Sequence, residues 1–146
     1  MNVLVLFESK TGNTRKVAEL VGGAAQLAGA NVVVRPVKQV DLHELSRADV
    51  VFLGTWVDGL VLFGHRPGGA KKFAALPTLQ NKRVAVFCTY AVHGADRMLK
   101  KFARLLSRKG AVVIARRGFK RGNLESGVMA FVADAFAEVP VTEPTT

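Results

Sequence analysis

The 146-residue chain holds a single cysteine, Cys88, so no internal disulfide can form and a cysteine-built zinc site is excluded. Its three histidines, His43, His65 and His93, are scattered without the spacing of a metal site and read as surface or turn residues. No apolar run approaches the roughly 20 residues that span a bilayer. The start, Met1-Asn2-Val3-Leu4-Val5-Leu6-Phe7, has neither a basic lead-in nor a small-residue cleavage site, which argues against a secretory signal. A reduced, cytoplasmic protein is the expectation. Acids are scarce too: 11 Asp and Glu stand against 21 Lys and Arg, a net charge of +10. That imbalance leaves the fold open but points to an anionic ligand, partner or surface. With 49% hydrophobic and 22% charged residues, disorder and collagen-like structure are excluded. One core suits this length.

What is present is a regular alternation. Residues 2–7, 31–37, 49–54, 82–88 and 111–115 are Val-rich, and several are apolar at nearly every position, as in parallel strands covered on both faces. Between them, apolar residues recur at helical spacing. Val17, Leu20, Val21, Ala24 and Ala28 form one stripe, ended by Gly29. Leu99, Phe102, Ala103 and Leu106 form a second, ended by Gly110, and Leu124 to Phe136 form a third. Lys38 to Ala48 offers a turn or two of helix, 55–68 reads as a long loop, and Gly69 to Ala75 as a short helix. The pattern predicts one α/β domain over 1–138 with a frayed tail over 139–146. In an open parallel sheet, ligands bind beyond the carboxyl ends of the strands, so the loops after Phe7, Gly54, Cys88 and Ala115 carry the functional signal.

The first of these loops is the most specific. Ser9-Lys10-Thr11-Gly12-Asn13-Thr14 follows strand one directly and opens the first helix. Gly12 permits a tight bend, three hydroxyls gather in one turn, and helix N-terminal amides converge on an anion. The segment lacks the Gly-Lys-Ser/Thr ending of a Walker loop and the G-x-G-x-x-G of dinucleotide sites. Glu8 ends strand one without a second acid, which argues against a phospho-accepting receiver. The only tryptophan, Trp56, and the only tyrosine, Tyr90, follow strands three and four at the same sheet edge. Each offers an apolar plane with a polar tip.

Here the chain resembles the flavodoxins, whose first loop reads Thr/Ser-x-Thr-Gly-x-Thr and holds the phosphate of FMN. The resemblance implies a flavodoxin-like three-layer sandwich with a five-stranded parallel sheet in the order 2-1-3-4-5. Flavodoxins are a standard illustration of that order, so the placement is carried by the likeness. It also implies one non-covalently bound FMN. Ser9, Lys10, Thr11, Gly12, Asn13 and Thr14 would lie at the phosphate. Thr55, Trp56, Val57, Asp58 and Gly59 would lie along one side of the ring. Thr89, Tyr90, Ala91, His93, Gly94 and Asp96 would lie along the other and at its pyrimidine edge. Trp56 and Tyr90 would sandwich the ring; His93 is an outside candidate for a proton donor. One departure stands out: β-branched Val57 follows Trp56 where many flavodoxins carry a small residue whose peptide flips, and Val resists positive φ. A carboxylate at Asp58 near the ring would disfavour a negatively charged reduced flavin.

The charge excess is local. Residues 96–121 carry ten cations, from Arg97 to Arg121, opposed only by Asp96. Typical flavodoxins are acidic, so the expected partner is an acidic redox protein or an anionic small-molecule substrate. Nucleic acid fits less well, because aromatic interleaving and a recognition-helix signature are missing. The leading expectation is an electron carrier. The alternatives are a small FMN-dependent oxidoreductase of the quinone or protoporphyrinogen type, and a flavin-free basic interaction module on the same fold.

Overall fold

Val3, Leu4, Val5, Leu6 and Phe7 are all buried, a continuous apolar run that only a strand covered on both faces accommodates. The computed structural model describes residues 1–58 and 66–140. In chain order the elements are β1 (Asn2–Phe7), α1 (Asn13–Leu27), β2 (Asn31–Pro36), α2 (Leu42–Arg47), β3 (Val50–Asp58), β4 (Arg66–Pro67), α3 (Ala70–Ala74), β5 (Arg83–Tyr90), α4 (Ala95–Ser107), β6 (Val112–Lys120) and α5 (Val128–Ala137). A single 3-10 turn, Val37–Gln39, and α2 fill the stretch where a turn or two of helix is expected. Asp41 caps α2 by accepting from the amides of Glu44 and His43, and these bonds hold its carboxyl below the usual carboxylate range.

The main sheet runs β2-β1-β3-β5-β6 with every neighbouring pair parallel. Setting aside the two-residue β4, which pairs antiparallel with the end of β3, this is the expected 2-1-3-4-5 order. Alternation along the strands divides the core into two layers. Val5, Phe7, Phe52 and Phe87 face α1 and α5. Phe131 of α5 meets Phe52, Phe87 and Phe119 edge-on at centroid distances of 5.5, 6.1 and 5.8 Å. On the opposite face, Leu4, Leu6, Leu53 and Val86 meet Phe73, Met98 and Phe102.

Three boundaries differ from the sequence reading. β3 continues to Asp58 and β6 to Lys120, well past the apolar runs ending at Gly54 and Ala115. Their extension is held by pairing: Thr55 with Cys88 and Trp56 with Thr89 on β5, then Val57 with Pro67 on β4. Hydropathy does not mark these stretches because polar residues interrupt them: Thr55 is buried at the end of the apolar run in β3, and Arg116, Arg117 and Gly118 precede the buried Phe119 in β6. Thr55, Trp56 and Val57 are therefore strand residues, and Arg116 and Arg117 lie on the edge strand. The last helix starts at Val128, with Leu124 buried in the preceding turn. Val139 still packs against the α1/α5 layer, and the rest of the expected tail, 141–146, lies outside the described residues.

Candidate functional site

The carboxyl ends of β1, β3 and β5 lie side by side, with Phe7 beside Gly54 and Trp56 beside Thr89. At the end of β1, Glu8 extends the ladder by one bond, its amide donating to the Gly54 carbonyl at 3.0 Å. The chain then turns sharply. The Gly12 amide donates back to Ser9 Oγ at 3.0 Å, and Gly12 adopts φ +97°, a conformation in which a side chain is strained. No atom lies within 4 Å of where a Cβ at Gly12 would stand, so the turn opens outward. Helix α1 begins here with no side-chain cap and no acid in its first turn. Its first amides are therefore left for another acceptor. Lys10 and Thr11 are exposed, and the Asn13 side-chain amide reaches Thr11 Oγ1 only at 3.5 Å.

Thr14 behaves differently from the other two hydroxyls. It is buried, and its Oγ1 shares a hydrogen bond of 2.9 Å with Oγ1 of Thr89, itself buried at the end of β5. The bond brings together two residues that the sequence places in separate segments. It ties the opening turn of α1 to the strand that ends in Tyr90.

Trp56 is half-buried, and its Nε1 is enclosed without a hydrogen-bond partner, an orphaned indole donor at the rim. A Cβ at Gly68 would stand 2.0 Å from the indole, so the ring lies flat against that glycine. The contact is clasped on both sides: the Gly68 amide donates to the Trp56 carbonyl at 3.0 Å, and Thr55 Oγ1 donates to the Gly68 carbonyl at 2.6 Å. Val57 is extended in the β3–β4 pairing; the only non-glycine with positive φ among the described residues is Asn81. Gly59 and the side chain of Asp58 lie outside the described residues, as does His65.

Tyr90 is half-buried and lies over Gly118 of β6, where a Cβ would meet its ring at 3.2 Å and Ala95 at 2.8 Å. Ala91 and His93 are exposed beyond it, Gly94 opens α4 with φ +95°, and Asp96 occupies the first turn of that helix. Cys88 points the other way from Thr89. Burial, reinforced by the charge of Asp96, pushes its thiol up to about 12, so it is a core residue without nucleophilic character at neutral pH.

Sequence reasoning missed three contributors. The largely buried carboxylate of Glu8 pairs with Lys72 Nζ of α3 at 2.5 Å. That pair fastens α3 to the end of β1, and 64 residues of separation hid it. Gly68 and Gly118, the floors beneath the two aromatics, also went unread, although an isolated glycine inside β6 is a sign of close approach. Among the described residues, no three His, Cys, Asp or Glu side chains form a metal cluster, and no helix is long and apolar enough to cross a membrane.

These features define a class: a doubly wound α/β domain whose strand-one turn offers amides and hydroxyls to an anion beside two rim aromatics. Residues 4–135 match the Flavodoxin domain family, and the chain belongs to it. Flavodoxins bind FMN, so the cofactor implied by the first loop is that of the family. A flavodoxin from Aquifex aeolicus is 44% identical over 61 residues; the match spans 41% of this chain and 28% of that protein's length. Among solved structures, two-electron reduced Megasphaera elsdenii flavodoxin superposes with a TM-score of 0.75 at 21% identity, covering 94% of this chain and 99% of its own. Oxidised flavodoxin 2 from Bacillus cereus gives 0.72 at 22% identity, covering 94% and 99%. These structural likenesses carry the fold.

Proposed function

We propose that the chain is an electron carrier that works through one non-covalently bound FMN. The observation that carries this reading is the convergence of the uncapped Gly12 turn, the orphaned Trp56 Nε1 and the half-buried Tyr90 on one rim. The residues present fit FMN. The Ser9 and Thr11 hydroxyls and the first amides of α1 would hold the phosphate, with Lys10 adding positive charge and Asn13 a side-chain donor. Thr14 would contribute its amide, because its hydroxyl is engaged by Thr89. Trp56 and Tyr90 would cover the ring, flanked by Thr55, Val57, Asp58 and Gly59 on one side. The segment Thr89, Ala91, His93, Gly94 and Asp96 would meet the polar edge.

Bound FMN supplies the acceptance and release of one or two electrons; the protein supplies binding, orientation and access. The Trp56–Gly68 clasp fixes one aromatic wall, and the seat of Tyr90 on Gly118 fixes the other. Cytoplasmic residence accords with the single buried thiol. The basic region Arg97–Arg121 would meet an acidic redox partner protein or an anionic small-molecule substrate.

The visible absorption spectrum of the purified protein, before and after adding FMN, tests the binding. Flavin bands that co-elute with the protein support it, and their absence in both samples sinks it. Turnover separates a carrier from a small oxidoreductase. The carrier reading expects no NADPH oxidation with a quinone acceptor until a reductase is added, and turnover by the protein alone would assign it to the enzymes.

A further inference from the structure

Helix α4 and the edge strand β6 enclose a basic groove that runs away from the aromatic rim. Two contiguous concavities of about 560 and 600 Å³ make it up, sharing Lys100 and Arg116. Arg104 and Arg108 line its far half, and Arg117 and Asp96 its near half. Four cations, Lys100, Arg104, Arg108 and Arg116, thus face one carboxylate, while the Arg117 guanidinium lies against Gly127 at the start of α5. No ion pair holds any of the four among the described residues. The near end is bounded by Gly118, the residue on which the Tyr90 ring rests.

Lys100, Arg104 and Arg108 stand four apart, a ladder of like charges on one helix face, which destabilises a helix. Charges that serve only to blunt an exposed sheet edge belong on the strand. Here most of them are on the helix opposite it, and the unpaired positive potential is concentrated between the two elements. Low-dielectric walls focus such a field toward an incoming negative surface.

We propose that the α4/β6 groove is the docking face for an electron-transfer protein with an acidic surface. The proposal rests on the FMN reading, because the groove gains its meaning from ending at Tyr90. Charge complementarity selects the sign of the partner, and the groove's length selects its kind. From Asp96 to Arg108, α4 rises about 18 Å, more than a small anion spans. A nucleic acid would lack a stacking platform, since no aromatic side chain lines the groove. A docked protein would sit beside the aromatic wall, where the path to the cofactor is shortest.

The test uses the FMN-loaded protein and an acidic [2Fe–2S] ferredoxin as the probe, with a 20-base-pair DNA duplex as a second arm. Affinity is measured at 20 and 200 mM salt for the wild type, for Lys100→Glu/Arg104→Glu/Arg116→Glu, for the same three positions changed to Gln, and for Lys38→Glu beyond the opposite sheet edge. The groove predicts ferredoxin binding that weakens roughly tenfold or more at the higher salt. It also predicts at least roughly a tenfold loss in the Glu variant, a smaller loss in the Gln variant, and under twofold change in Lys38→Glu. Equal losses in groove and control variants, no ferredoxin binding, or tighter groove-dependent binding of the duplex would each overturn it. FMN affinity is read on the same samples. Retained FMN with failed docking removes only this proposal, whereas failed FMN binding removes the functional reading itself.

Discussion

Thr14 and Thr89, 75 positions apart, share a buried hydrogen bond of 2.9 Å that locks the first turn of α1 onto the end of β5. Removing one hydroxyl leaves the other desolvated and unpaired. We therefore predict that Thr14→Val or Thr89→Val alone lowers stability by about 1–3 kcal/mol, while the double variant costs less than the two combined. Urea denaturation of the four proteins in a cycle measures this. Strict additivity would show that the bond contributes nothing.

Gly68 supports Trp56 by having no side chain. A Cβ there would stand 2.0 Å from the indole, so Gly68→Ala must displace the ring or the β3–β4 turn. A cost of about 1–3 kcal/mol follows from overpacking. Because Trp56 is the only tryptophan, its fluorescence reports the event alone. The variant's emission should shift to longer wavelength as the enclosed indole gains water, and an unchanged spectrum contradicts the contact.

The two aromatic walls are separable. Trp56→Ala and Tyr90→Ala should each weaken FMN binding by roughly 1–3 kcal/mol, the range for aromatic stacks on nucleic-acid bases. Fluorescence titration of flavin gives both values. Unchanged affinity in both variants would remove the sandwich from the account.

Cys88 gives a pH prediction. Burial raises its thiol from 9.0 to about 12 in the folded state. Below pH 9 the thiol is neutral whether folded or unfolded, and it neither adds nor removes stability. Between about pH 9 and 12 the unfolded chain ionises while the native one does not, so stability falls with rising pH. The stability advantage of wild type over Cys88→Ala should therefore shrink across that window. At pH 8 a thiol reagent should modify Cys88 only as fast as the protein unfolds; rapid modification of the native form contradicts its burial.

Much of this molecule is legible in the chain because parallel strands and their covering helices write two different apolar periods. The five strands, their order once the first loop is recognised, and the short helices at Leu42–Arg47 and Ala70–Ala74 all follow. The extensions of β3 to Asp58 and β6 to Lys120 do not, because polar residues interrupt the apolar runs there while pairing with β4 and β5 carries the strands on. At the rim, Gly12, Trp56 and Tyr90 announce themselves by rarity or motif. The supports beneath them do not: Gly68, Gly118, the Glu8–Lys72 pair and the inward turn of Thr14 arise from contacts between distant segments. Apart from the isolated glycine inside β6, sequence spacing carries no trace of such contacts.

The central claim is that the Gly12 turn grips a phosphate while the rim aromatics cover a flavin. Calorimetric titration of the apoprotein with FMN and, separately, with riboflavin tests it most directly. One equivalent of FMN should bind, and at least roughly tenfold more tightly than riboflavin, since only FMN engages the charge-assisted donors of the first loop. Equal affinity for the two, or no heat with either, would contradict it.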